Sequence, residues 1–186
     1  MMLLSGPARL LLKLFGWTLL DLDTRPTKAV AIGYPHTSNW DFVVGILALA
    51  ALDLDARWVG KDTLFRFGFG PVFRALGGIP VNRRQSTGFV DKMVAEFAQR
   101  DRFLLLMAPE GTRSLTPGWK SGFHRIARGA GVPVLVGAVD YGKRSVGLVD
   151  CIALSGDADA DMARIAACYA GRRGCCPEKA SPIRLL

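Results

Sequence analysis

Histidine is scarce in this chain, with only two among 186 residues, and cysteine is little more frequent at four. The cysteines, Cys151, Cys168, Cys175 and Cys176, form no CxxC pair and lie far in sequence from both histidines, so no metal site is expected. Reduced thiols are the expectation for all four, with a redox role for Cys175 and Cys176 as the minor alternative. A long uninterrupted apolar run is also missing. Residues 3–20 are leucine-rich but are broken by Pro7, Arg9, Lys13 and Gly16, and no small-residue cleavage site follows, which disfavours both a signal peptide and a membrane span. Internal repeats, low-complexity tracts and convincing linkers are absent as well, so one compact domain is the default.

What is present supports that default. Half of the residues are apolar, enough for a substantial core without disulfides or metals. The balance of 24 Lys plus Arg against 16 Asp plus Glu gives a formal charge of +8, which favours an anionic surface: nucleic acid, phospholipid or an acidic carrier. The basic residues are scattered and carry no recognition-helix, ribonucleoprotein or zinc-finger signature, so nucleic acid is not expected as a partner. In the N-terminal segment Arg9 and Lys13 share one helix face while Leu10, Leu11, Leu14, Phe15 and Trp17 cover much of the remainder. That pattern suits a helix lying in a membrane interface or, equally, one packed on the domain's own core.

From Lys28 onward short apolar runs alternate with segments of helical period. Residues 29–34, 57–60, 79–82, 103–107, 132–139 and 146–154 read as strands, and 40–52, 62–66, 87–100, 122–130 and 157–169 as helices. This predicts an α/β fold with a mostly parallel central sheet covered by helices, preceded by an amphipathic helix; residues 1–27 form the leading segment and 28–186 the main domain. The stretch after Gly171 reads as surface coil.

Chemistry concentrates where strands end, the edge at which open α/β sheets bind ligands. His36 follows the first strand in Tyr34-Pro35-His36-Thr37-Ser38-Asn39-Trp40-Asp41, five residues before an acid. A base that titrates near neutrality with a carboxylate in reach is what proton abstraction from a hydroxyl requires. Ser38 or Asn39 can cap the following helix, and Asp41, in its first turn, can orient the imidazole; equally, Ser38-x-x-Asp41 is close to a capping box, and Asp41 could satisfy backbone donors alone. About seventy residues on, Glu110-Gly111-Thr112-Arg113-Ser114 joins a glycine turn to a guanidinium suited to phosphate oxygens. Arg83 and Arg84, at another strand end, could bind phosphate or form a solvated rim, as could Lys61 and Lys120. The apolar residues 42–52 with Phe65, Phe67, Phe69 and Phe73 could line an apolar groove or be core.

His36 to Asp41 matches the HxxxxD motif of the glycerolipid acyltransferases, and Glu110 to Ser114 matches their EGTRS block. Gly78-Ile79-Pro80-Val81-Asn82-Arg83 resembles the family's second block, and Val132-Pro133-Val134 its fourth; order and spacing agree from Lys28 to Asp140. The resemblance implies a 1-acylglycerol-3-phosphate acyltransferase-like enzyme in which His36 is the base, with direct transfer and no acyl-enzyme. It further implies that Arg83 contacts the acceptor phosphate. With it, Asp41 is expected to orient the base, Glu110 to position the acceptor or an arginine, and Gly111, Thr112, Arg113 and Lys61 to complete the substrate site. Backbone amides near Gly111 or the helix start are candidate oxyanion donors. Acyl-CoA or acyl carrier protein is expected as co-substrate with no further cofactor, a lysophospholipid as acceptor, and the cytoplasmic face of a membrane as location. The rivals are an acyl-thioester or lipid hydrolase and a non-catalytic basic membrane-binding module.

Overall fold

The computed structural model describes residues 2–66, 68–82 and 88–186. Seven strands form one sheet in the order β1-β7-β6-β2-β5-β3-β4. They are β1 (Thr18–Leu20), β2 (Lys28–Tyr34), β3 (Ala56–Lys61), β4 (Gly78–Val81), β5 (Phe103–Met107), β6 (Val134–Asp140) and β7 (Ser145–Ile152). All neighbours are parallel except β6 and β7. The exception has a simple cause: residues 141–144 are too few for a crossover, so the chain turns back as a hairpin.

Central strand β2 shows why the sheet is covered twice. Val30 and Ile32 pack with Met93 and Phe97 of α4 (Phe89–Gln99), Phe123 and Ile126 of α5 (Gly122–Ala130), and Met162 and Ile165 of α6 (Ala158–Cys168). Ala29 and Ala31 alternate to the other face, where they meet Leu52, Leu104, Leu135 and Leu148. There α2 (Trp40–Ala51) lies over the sheet, and α1 (Met2–Leu14) packs on α2 through Ala8 and Leu12 against Val44 and Ala48. The period-2 alternation of a strand thus serves two helical layers. Asp157 caps α6, its carboxylate accepting the amides of Asp159 and Ala160, an arrangement that contributes about 1 kcal/mol.

The expected α/β class and largely parallel sheet are found, with local differences. The amphipathic helix of the 1–27 segment ends at Leu14, and Thr18 to Leu20 of the same segment pair with β7 as a strand. The 62–66 helix is a four-residue 3-10 turn, Asp62–Phe65. A six-residue helix, α3 (Gly70–Ala75), was not expected. The helix expected over 87–100 begins at Phe89 among the described residues, and position 87 lies outside them.

The largest departure is the C-terminal stretch. In place of a surface coil it threads back across the molecule: Trp119 accepts and donates main-chain bonds with Leu186 and Arg184, and Ser181 is fully buried. No helix among the described residues is long and apolar enough to cross a membrane.

Candidate active site

The registers of β2, β5 and β6 set the site. Ile32 aligns with Met107 and with Val136, so the turns after β2 and β5 leave the sheet side by side at its carboxyl edge. His36 lies in the first turn and Glu110 in the second, and the main-chain N–H of His36 donates to Glu110 Oε2 at 2.7 Å. The imidazole Nδ1 faces Asp41 Oδ2 at 3.3 Å, with the His36 side chain 24% and the Asp41 side chain 3% exposed.

Asp41 serves both readings of its sequence context. Its Oδ2 accepts the amides of Thr37 at 2.7 Å and Ser38 at 2.8 Å, so it closes the turn as a capping acid while facing the imidazole. Asn39 precedes the helix with no side-chain cap bond, and Ser38 Oγ instead accepts the amide of Trp40. Burial would raise the Asp41 carboxyl, but the His36 ring, the Ser38 and Thr37 amides and the Tyr141 hydroxyl together draw it below the usual aspartate range.

Glu110 is held by main-chain amides. It is 1% exposed and does not line the cavity: Oε2 holds the His36 amide and Oε1 the Ser181 amide at 2.9 Å. Burial pushes its carboxyl up, and these bonds offset that only in part. So enclosed, the carboxylate clamps the His36 turn to the C-terminal stretch.

Gly111, Thr112, Arg113, Lys61 and Lys120 do line the cavity with His36, Asn39 and Asp41. Gly111 has φ +67°, and a Cβ there would meet the Lys120 stem at 3.1 Å, so the glycine both permits the turn and lets Lys120 lie along it. Arg83 falls outside the described residues, as does Phe67. Of the amides near Gly111 and the helix start, those of Thr37 and Ser38 donate to Asp41, that of Trp40 to Ser38 Oγ and that of Gly111 to the Ala108 carbonyl.

From this polar end a cavity of about 780 Å³ runs between α2 and the sheet, walled by Phe42, Ile46, Leu49, Leu104, Leu135 and Leu148. That volume suits a sizeable apolar ligand. Phe42 and Phe73 touch edge to face near its wall, whereas Phe65 is buried against Trp58 and Phe69 faces solvent. The second histidine, His124, is elsewhere: on α5, buried, with Nε2 3.1 Å from Asp161 of α6.

Two groups at the site gave no signal in sequence. Tyr141 donates its hydroxyl to Asp41 Oδ1 across a hundred residues of chain. The Cys175-Cys176 pair is far in sequence from both histidines, yet the Cys176 amide donates to Thr37 Oγ1, and Gly174 packs on Thr37 and Pro35. All four cysteines are free thiols. Among the described residues no cluster of His, Cys, Asp and Glu could hold a metal ion.

A histidine paired with a buried aspartate, at a strand-end turn beside an apolar cavity, is an arrangement suited to moving a proton next to an apolar ligand. A model of the family described as Acyltransferase matches residues 21–139, and the chain belongs to that family, as its motifs implied. Among solved structures, the 1-acyl-sn-glycerophosphate (LPA) acyltransferase PlsC from Thermotoga maritima is similar in fold, with a TM-score of 0.59 and 14% sequence identity. That match covers 90% of this chain and 76% of the other. No curated protein matches the chain.

Proposed function

We propose that this acyltransferase moves a fatty acyl group from acyl-CoA or acyl carrier protein to a hydroxyl of a lysophospholipid or related lipid, with 1-acylglycerol-3-phosphate to phosphatidate as the reaction of best fit. The observation that carries the reading is the His36–Asp41 pair at one end of an apolar cavity whose polar rim bears Lys61, Arg113 and Lys120. With Nδ1 turned to Asp41, Nε2 is the base. It takes the acceptor's hydroxyl proton as the oxygen attacks the thioester carbonyl; the tetrahedral intermediate expels the thiolate, which recovers the proton from the imidazolium. No acyl-enzyme is needed. Arg113 and the rim lysines, with Arg83, hold the acceptor's phosphate, and the cavity under α2 takes the chain.

Lipid substrates would be met at a membrane surface. Leu10, Leu14 and Phe15 of the N-terminal segment and Trp40, Val43, Phe69 and Val72 near the cavity are exposed. With Arg9 and Lys13 beside them they fit a protein held peripherally or monotopically on the cytoplasmic face.

The test is acyl transfer across a panel of lysolipids with both thioester donors, using His36→Ala as the blank. Esterified product that depends on added lysolipid, and falls by about 100-fold or more in the variant, is expected. Release of free acid without dependence on lysolipid would make the protein a hydrolase, and activity confined to lysolipids without phosphate would remove Arg83 and Arg113 from acceptor binding.

A further inference from the structure

Tyr141 stands in the turn between β6 and β7, two residues beyond the stretch that the family model matches. It nonetheless touches the acid of the dyad: its hydroxyl donates to Asp41 Oδ1 at 2.9 Å. The two Asp41 oxygens therefore divide their work, since Oδ2 takes the Thr37 and Ser38 amides and faces His36 Nδ1. A carboxylate's terminal torsion is broad and two-fold, so a donor on Oδ1 narrows the rotation that aims Oδ2.

Tyr141 is itself held at both ends. Its amide donates to the Arg173 carbonyl at 2.8 Å, and its ring lies edge-on to Trp17, with centroids 5.1 Å apart and planes at 84°. The Trp17 amide in turn bonds to the Leu12 carbonyl in the last turn of α1. Burial and the neighbouring Asp41 push the phenol well above its ordinary value, so the group stays a donor through the neutral range.

We infer that Tyr141 is a positioning residue of the transfer reaction, fixing the Asp41 carboxylate so that Oδ2 holds the His36 ring in the tautomer that leaves Nε2 free. The inference rests on the reading of His36 as base. It goes beyond the HxxxxD pair, because the third member comes from a distant turn anchored by the N-terminal and C-terminal segments.

Tyr141→Phe removes the hydroxyl and keeps the ring against Trp17. In the full chain, with acyl-CoA and 1-acylglycerol-3-phosphate, kcat is expected to fall about 10-fold with both KM values within about twofold, the effect of losing one bond to a charged acceptor. The chain's two histidines give a readout that a structural role would not move. In ¹⁵N-histidine-labelled protein the His36 ring nitrogens should shift toward a mixture of tautomers, while His124, buried against Asp161, keeps its wild-type signals. If His36→Ala is inactive but Tyr141→Phe has wild-type kcat and an unaltered His36 ring, the inference is wrong. A drop in kcat accompanied by displaced His124 signals also counts against it, because the effect is then on the fold. Full activity in His36→Ala overturns the reading of the base, and this inference with it.

Discussion

Buried carboxylates divide by what surrounds them. Asp41 and Asp161 are each penalised by burial but draw enough hydrogen bonds to end below the usual aspartate range, whereas Glu110, with two main-chain amides as its chief partners, ends above its ordinary value. Glu110 therefore ties two segments together at an electrostatic cost. Glu110→Ala leaves the His36 and Ser181 amides without acceptors, which costs about 1–3 kcal/mol for each buried donor and frees the His36 turn. The expected result is a lower melting temperature and a reduced kcat, with the KM for the acceptor little changed. A raised acceptor KM at unaltered stability would instead make Glu110 a substrate ligand. The pH dependence follows from the raised carboxyl. Its contribution to stability is fully present below the ordinary value of 4.5 and is lost as pH rises through the folded value, so the gap between wild type and Glu110→Ala narrows upward in pH.

Among the elements, those with a strong local period were legible in the sequence. Gly122–Ala130 and Phe103–Met107 fall where their patterns put them, and His36 and Glu110 were expected at neighbouring strand ends and are found there. The elements that sequence did not reveal are short or are held by partners far away in the chain. β1 has three residues and exists because β7 offers a parallel edge; the C-terminal stretch has no period because backbone bonds to Trp119, Thr37 and Glu110 shape it. Tyr141 was invisible for the same reason, as its partner is set by tertiary packing.

The β1–β7 pairing has a sharp local requirement. Gly147 has φ +137°, and a Cβ there would lie 2.0 Å from the Leu20 carbonyl oxygen. Gly147→Ala is accordingly expected to cost about 3 kcal/mol from backbone strain and overlap together, read by chemical denaturation. An undiminished midpoint would show that β1 can leave the sheet at no cost.

For the whole molecule, whose net charge is +8, several exposed apolar side chains lie on or beside a connected set of helices. α1 packs on α2, and α2 meets α3 through Phe42 and Phe73, so the exposed Leu10 and Leu14 of α1, Phe15 just past its end, Trp40 and Val43 of α2 and Val72 of α3 lie along three helices in contact. Leu14 and Phe15 are 72% and 65% exposed, so neither supports the core. On the proposed membrane-bound reading, burying such side chains in a bilayer interface contributes about 1.5 kcal/mol or more each, and Arg9 and Lys13 add about 1 kcal/mol each against anionic lipid. The double variant Leu14→Asn, Phe15→Asn is therefore expected to bind phosphatidylglycerol vesicles roughly 100-fold more weakly in a sedimentation assay, with an unchanged melting temperature. Raising the salt should weaken the wild type through its cations, and replacing the anionic lipid with a zwitterionic one should do the same. The variant would retain transfer to a lysolipid presented in detergent micelles while losing it on vesicles, because the dyad and the cavity are untouched. Equal vesicle binding by variant and wild type would remove this face from the membrane contact and leave the positive charge alone to account for any binding.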